Sequence, residues 1–247
     1  MTISRSAIIS RPSGKARVRL LLLRHGQSES NRDWRFTGWS DVSLTARGRE
    51  EARRAGEALG ADGLVFGACY SSCLRRASET ARIVLEAMGQ GNLPVQETWR
   101  LNERHYGALE GLRWWQGILR FGPVQVVRCR RSHEAAPPLL RTGDPGHPAN
   151  DPRYGDVPRD QLPGGESLRD AQARLAPVWE GQVALDLRRG VDTLVVAHKN
   201  ILRAFLRLLS QASGVDVGRE VIHRCEPILF ELDTDLRIVR RHIGGRD

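Results

Sequence analysis

Arg24-His25-Gly26 follows directly on the apolar run Val18-Arg19-Leu20-Leu21-Leu22-Leu23, and Gln27-Ser28-Glu29-Ser30-Asn31 comes next. A histidine therefore sits where a buried strand runs out into a glycine-containing turn. A guanidinium grips phosphate oxygens through its planar fork, an imidazole serves as nucleophile, glycine admits close backbone approach, and Ser28 and Asn31 add donors. Together these residue types describe a phosphoryl-accepting site. An imidazole attacks only when neutral, and at an ordinary pKa of about 6.5 much of it is neutral at pH 7. A second apolar run, Thr193-Leu194-Val195-Val196-Ala197, delivers His198 in the same way and is followed by Lys199 and Asn200. The chain has no phosphate loop ending in Gly-Lys-Ser/Thr and no His/carboxylate cluster at metal-ligand spacing, so the expected chemistry is metal-free.

The elements that must position these groups follow from periodicity. Two histidines at the carboxyl ends of apolar strands are what an open α/β sheet offers a ligand. Thr45 is the expected N-cap of a helix that presents Ala52, Ala55 and Leu59 on one face. The run from Leu64 to Tyr70 predicts the next strand. Leu74, Ala77, Ala81, Val84, Leu85 and Met88 then repeat with helical spacing, which puts Arg76 in the first turns, facing the edge that carries His25. Gly164-Gly165-Glu166-Ser167 opens the helix before the His198 strand. Ile201, Phe205, Leu208 and Leu209 mark the helix after it, and the runs 228–232 and 236–239 predict a closing hairpin. Between Arg100 and Pro163 the periodicity fades and proline and glycine accumulate, a length of irregular chain that is unusual unless functional. The tryptophans, Trp34 and Trp115 among them, are expected to be core or loop anchors.

With 247 residues and 40% hydrophobic content the chain fits one α/β domain with a sizeable core. Residues 1–17 read as a flexible basic arm and the domain as 18–245. No apolar run reaches the length of a membrane helix, and the first sixteen residues lack the hydrophobic core of a signal peptide, so a cytoplasmic location and no membrane partner are expected. The four cysteines lack zinc spacing and disulfide density, which predicts free thiols. A net charge of +9 raises the possibility of nucleic-acid binding, but the arginines are scattered, without a basic tract or aromatic stripe. An anionic small substrate accounts for the charge without a nucleic-acid partner.

Further blocks occur in order: Phe36-Thr37-Gly38-Trp39, Leu44-Thr45-Ala46-Arg47-Gly48, Ser72-Cys73-Leu74-Arg75-Arg76-Ala77, Leu101-Asn102-Glu103-Arg104-His105-Tyr106-Gly107, and Val196-Ala197-His198-Lys199-Asn200. Over residues 18 to 245 this pattern resembles the histidine phosphatase superfamily and, within it, the cofactor-dependent phosphoglycerate mutases. The resemblance implies a single-domain, three-layer α/β/α fold with a mostly parallel sheet, and a partly helical insertion over the active site at about 100–163. It implies interconversion of 3-phosphoglycerate and 2-phosphoglycerate through a phosphohistidine, with 2,3-bisphosphoglycerate as phosphoryl primer and no metal, in a homodimer or homotetramer. His25 would be the nucleophile and Glu103 the general acid and base, with Arg24, Arg76 and His198 on the phosphoryl oxygens. Ser28, Asn31, Thr37, Gly38, Arg104, His105, Tyr106, Arg113, Arg130, Arg131, Lys199 and Asn200 would bind substrate, Arg130 and Arg131 through its carboxylate or distal phosphate.

The pattern departs from the family at Ser30, where a tryptophan is usual, at Lys199 in place of glycine, at Trp114 in place of lysine, and at Cys225-Glu226-Pro227 in place of Gly-x-Pro. Lys199 brings a charge that either binds the anion or points outward. Two rival readings stay open. One is a phosphatase of the same superfamily acting on small phosphate esters; the other is a catalytically degenerate scaffold or basic binding protein.

Overall fold

A computed structural model describes residues 17–218 and 221–243, so the expected arm lies outside the described residues except for Arg17, as do residues 244 and 245. In chain order the strands are β1 (Val18–Arg24), β2 (Ala68–Ser71), β3 (Val95–Glu97), β4 (Thr193–Ala197), β5 (Ile228–Leu232) and β6 (Ile238–Ile243). The α-helices are α1 (Glu29–Arg32), α2 (Ala46–Ala61), α3 (Arg75–Ala87), α4 (Trp114–Phe121), α5 (Pro123–Arg131), α6 (Leu168–Val178), α7 (Ala184–Arg188) and α8 (Lys199–Ser213). One sheet orders the strands β3-β2-β4-β1-β5-β6. The pairs β1/β4, β4/β2 and β2/β3 are parallel, and only β5 runs against the rest, antiparallel to both of its neighbours, β1 and β6.

Side chains alternate across the sheet and so feed two cores. Leu20, Leu22, Val195 and Phe230 join Leu175, Phe205 and Leu209 of α6 and α8, whereas Leu21, Leu23, Leu194 and Val196 join Ala52, Leu59, Ala81 and Leu85 of α2 and α3. This is the three-layer α/β/α arrangement. Leu20 to Leu23 are each fully buried, which explains a continuous apolar run rather than an alternating one; each contributes about 1.5–3 kcal/mol of transfer free energy.

Helix starts follow the expected chemistry. The Thr45 hydroxyl accepts from Gly48 N at 3.0 Å, and Ser167 caps α6 with Asp170 returning the bond. Glycine acts by close approach at the first turn. A Cβ on Gly26 would lie 2.3 Å from Gly48 O, and one on Gly48 would lie 2.1 Å from Gln27 O. The turn after β1 therefore sits directly on the first turn of α2, and the Gly26 N–H donates to Thr80 Oγ1.

Two expectations change. The strand after α2 is shorter than Leu64 to Tyr70, because pairing begins only where Gly67 N and Ala68 N reach Asp192 O. Trp34 and Trp115 are 84% and 54% exposed, so neither anchors a core. Segment 100–163 is partly helical, as the resemblance implied, with α4 and α5 around Phe36, Leu109, Val126 and Cys129, besides several 3₁₀ turns. All four cysteines are unpaired. No described helix is long and apolar enough to cross a membrane.

Candidate active site

The carboxyl ends of β1 and β4 are neighbours in the sheet, with Arg24 opposite Ala197. Parallel pairing therefore sets His25 beside His198, their ring centroids 5.0 Å apart. His25 Nδ1 lies 2.7 Å from the carbonyl of Gly26, which only accepts, so Nδ1 carries the proton and Nε2 keeps its lone pair. Burial pushes the His25 pKa well below its usual range, and the neighbouring Arg76 and Arg24 push the same way; the ring is neutral at pH 7. His198 is neutral for the same reasons, burial first and Arg76 next. Its Nε2 meets Ser72 Oγ at 2.7 Å, while its Nδ1 is buried without a partner. With Ser72 donating, the His198 proton resides on Nδ1.

Arg76, on the first turn of α3, is 1% exposed, and burial pulls its pKa down to about 10, which leaves it charged. Its Nη1 and Nη2 donate to Ser40 O at 2.8 Å and Gly38 O at 2.7 Å. Gly38 has φ +50, and a Cβ there would fall 1.8 Å from Glu110 Oε1, so both backbone and space demand glycine. The Glu110 carboxylate accepts from Trp39 N and Tyr106 N, both at 3.0 Å, tying the Thr37–Ser40 turn to the Glu103 segment. Burial pushes Glu110 up to about 7.

The facing wall comes from between β3 and α6. Glu103 is 9% exposed at the cavity, and its charge acts on both Arg24 and Arg76. Its backbone is clamped on several sides. Arg174 of α6 donates to the carbonyls of Trp99, Arg100, Asn102 and Glu103, and Glu166 holds the same guanidinium at 2.6 Å. Trp39 Nε1 adds a 2.6 Å bond to Glu103 O. Between the walls lies a cavity of about 810 Å³. The N-terminus of α8 opens on it through Lys199 and Asn200, adding unpaired backbone N–H groups and the positive end of the helix dipole. No group of three or more His, Cys, Asp or Glu side chains able to hold a metal occurs among the described residues. A neutral nucleophile, guanidinium groups and one carboxylate can take up, hold and pass on a phosphoryl group.

The sequence model of the histidine phosphatase superfamily, branch 1, matches residues 20–147 and 144–242. The chain belongs to that superfamily. A 2,3-bisphosphoglycerate-dependent phosphoglycerate mutase 1 of Nitrosomonas europaea is 44% identical over 225 residues, covering 91% of this chain and 96% of that protein. Among solved structures, a mycobacterial glucosyl-3-phosphoglycerate phosphatase superposes with TM-score 0.63 at 25% identity, over 92% of this chain and 97% of that one. A phosphoglycerate mutase of Bacillus anthracis superposes with TM-score 0.63 over 96% of this chain and 95% of that one; at 20% identity it attests the fold.

Within this histidine phosphatase site the cavity wall includes Arg24, His25, Arg76 and Glu103, together with Asn31, Thr37, Gly38, Tyr106, Arg130, Lys199 and Asn200. Asn31 is held by its cap: Oδ1 accepts from Ser28 N, which leaves the amide N–H groups for a ligand. Tyr106 hydroxyl accepts from Asn200 Nδ2 at 3.0 Å, joining the two walls.

Five expected substrate contacts lie off the cavity wall. Ser28 is fully buried as the cap of α1. Arg104 is buried, donates to Cys129 O at 2.7 Å and lies over the Tyr106 ring, so it braces α5 and Tyr106. His105 is fully buried with Nδ1 accepting from Gly107 N, and burial holds its pKa down to about 3. Arg113 is the N-cap residue of α4, and Arg131 ends α5 exposed; Arg130 beside it is exposed as well but borders the cavity. Arg224 was not anticipated. It lines the cavity because its backbone bridges to Arg24 and Cys225 N donates to Arg24 O, a pairing across 200 residues with no local signal. Glu110, Glu166 and Arg174 were also missed as supports of the site, and only the Glu-x₇-Arg spacing hints at their pairing.

Proposed function

We propose that the protein is a 2,3-bisphosphoglycerate-dependent phosphoglycerate mutase. The observation that carries this reading is the neutral His25, its Nε2 free, set beside Arg24 and Arg76 and facing Glu103 across one cavity. The 44% identity to a protein of that name supports the choice of substrate. Bisphosphoglycerate fits the residues present: Arg24 lines a cavity rich in cations with its Nε buried and unpartnered, and behind His25 the Nδ1 of the fully buried His198 is unpartnered too. It supplies the first phosphoryl group.

His25 Nε2 accepts that group, forming an N–P bond while the ester O–P bond breaks and the departing oxygen takes a proton from Glu103; Arg24 and Arg76 neutralise the equatorial oxygens and the neutral His198 donates a hydrogen bond to them. When 3-phosphoglycerate enters, Glu103 takes the proton of its 2-hydroxyl as that oxygen attacks phosphorus, and the N–P bond breaks. His25 then takes the 3-phosphoryl group of the resulting bisphosphate, and Glu103 returns the proton to the departing oxygen. The product is 2-phosphoglycerate, and His25 is phosphorylated again. No metal enters any step.

The test is intact-mass analysis for an acid-labile phosphoryl adduct on His25 after incubation with 2,3-bisphosphoglycerate, followed by addition of 3-phosphoglycerate in EDTA. Conversion to 2-phosphoglycerate should exceed release of inorganic phosphate. Phosphate release without 2-phosphoglycerate would instead make the protein a phosphatase, and loss of activity in EDTA would contradict the metal-free route. Phosphoglycerates, rather than nucleic acid or membrane, are the partners this reading gives. It also carries a cytoplasmic location and a homodimer or homotetramer, to be checked by fractionation and sedimentation.

A further inference from the structure

Four large aromatic side chains line the cavity: Trp34, Phe36, Tyr106 and Trp114. Three of them are engaged. Phe36 stacks on Trp114 at 5.8 Å and meets Tyr106 edge-on at 5.3 Å, while the guanidinium groups of Arg130 and Arg104 lie 4.9 and 4.7 Å from the centroids of Trp114 and Tyr106. Trp34 has no ring or guanidinium partner among the described residues and stands in solvent at the rim.

The backbone holds it there at a cost. Trp34 follows Asp33, the C-cap of α1, and has φ +57, a left-handed conformation that glycine and asparagine adopt readily and a bulky side chain does not. The chain on its far side fixes this conformation. Arg35 N donates back to Ser30 O at 3.1 Å and closes the helix end, Arg35 bridges to Arg113, and Phe36 N donates to Leu112 O at 2.9 Å. A strained residue that is held by its surroundings, yet leaves its indole uncovered at the mouth of the site, points to a contact made with a ligand. The face of an indole carries negative potential, so it repels phosphate and carboxylate oxygens and favours planar or apolar groups. At about 810 Å³ the cavity is of the size that encloses drug-sized molecules, which leaves room for such a group beside a phosphoryl group on His25.

We propose that Trp34 is a platform for a planar ring, so that the site takes, besides phosphoglycerate, phosphate monoesters whose leaving group is aromatic. The inference rests on His25 as phosphoryl acceptor and goes beyond the mutase reading. With the ring of the ester on Trp34, His25 Nε2 forms its N–P bond as the aryl O–P bond breaks, and the departing phenol oxygen takes a proton from Glu103. Water then attacks phosphorus and gives a proton back to Glu103 as the N–P bond breaks, which releases inorganic phosphate.

The test is calorimetry with benzylphosphonate and propylphosphonate, two ligands of equal charge whose P–C bond the protein does not cleave. The wild-type protein should bind benzylphosphonate about tenfold more tightly, the scale of one ring stacked on an aromatic side chain. In Trp34→Asn, affinity for benzylphosphonate should fall about tenfold more than affinity for propylphosphonate, and Trp34→Phe should keep most of the preference. Asparagine accepts the left-handed backbone, so the unfolding midpoint of Trp34→Asn should not drop below wild type, which separates a ligand contact from a structural one. Release of phenol from phenyl phosphate by wild-type protein should show kcat/KM reduced in Trp34→Asn by the same factor as the binding preference. No preference in the wild type, a preference that survives in Trp34→Asn, or no release of phenol overturns the proposal. The phosphonates read binding alone, so their outcome is distinct from that of the mutase reading, which conversion of 3-phosphoglycerate by the wild-type protein decides separately.

Discussion

His25 and His198 stand at the ends of paired parallel strands, whereas Glu103, Tyr106 and Arg130 come from the segment between β3 and α6, and the two walls of the cavity are held by different forces. Behind the histidines lie fully buried leucines and valines and a regular ladder of backbone bonds. Behind Glu103 lies a buried guanidinium, Arg174, that satisfies four carbonyls at once and is itself held by Glu166. Apolar burial tolerates modest change at any one position. A polar clamp does not, because removing one partner leaves the others buried and unsatisfied. His25 thus rests on distributed packing, and Glu103 rests on a few irreplaceable side chains.

The largest expected effect falls on the histidine wall. His25→Ala should abolish phosphoenzyme formation while leaving circular dichroism and the unfolding midpoint near wild type, since the ring ends a strand and is not part of either core; retained labelling would remove His25 as nucleophile. Glu103→Gln should lower mutase kcat by about 10²–10⁴, the usual worth of a positioned acid-base group. Labelling of His25 from p-nitrophenyl phosphate, whose leaving group needs no proton, should persist, and full mutase activity would end the assignment.

Arg174→Met tests the clamp. It should destabilise the protein by about 3–5 kcal/mol in urea titration, as expected when one member of a buried ion pair is lost. It should also depress proton-dependent transfer to 3-phosphoglycerate more than labelling from p-nitrophenyl phosphate. Equal depression of both would mean that the clamp merely supports the fold and that the two walls are not independent.

A pH series separates the walls again. His25, His198 and His105 have pKa values held below the ordinary 6.5 by burial. The unfolded chain therefore binds protons that the folded chain refuses, and stability should fall as pH drops below about 6.5, by up to about 1.4 kcal/mol per unit for each such ring. Glu110, raised to about 7, works in the opposite direction: it binds its proton more tightly when folded, so its contribution falls as pH rises from about 4.5 through 7. His25→Ala should give a shallower acid slope; an unchanged slope would show that the ring is solvated in the folded state. The smallest effect belongs to Thr45→Ala, which removes the α2 cap at a cost of about 1 kcal/mol and should leave kcat untouched.

Much of the histidine wall was legible in the chain because strand, turn and helix lie within a few residues of one another there. Leu20 to Leu23 announce a strand buried on both faces, Thr45 and Ser167 announce their helices, and Arg76 falls one turn after its strand. The insertion was legible only by motif. Tyr106 and Arg130 do reach the cavity, but Arg104, His105 and Arg131, read from the same neighbourhood, turn away from it, because direction along irregular chain is set by the contacts it makes and not by any period. Trp34 and Trp115 failed for the same reason: a large apolar side chain on an irregular or amphipathic surface segment has no obligation to be buried.

The sequence by itself determined the layered α/β fold, the two strand-end histidines and the residue types of a phosphoryl-transfer site, since local periodicity and capping chemistry decide where regular elements begin and end. Only the tertiary structure decided which nitrogen of His25 is free, that Glu110 sits under Gly38, that Arg174 clamps the Glu103 backbone, and that Arg224 joins the cavity. Each of these depends on groups far apart in the chain meeting at hydrogen-bond distance in a region closed to water, and such meetings are fixed by sheet pairing and close packing, which leave no local trace in the order of residues.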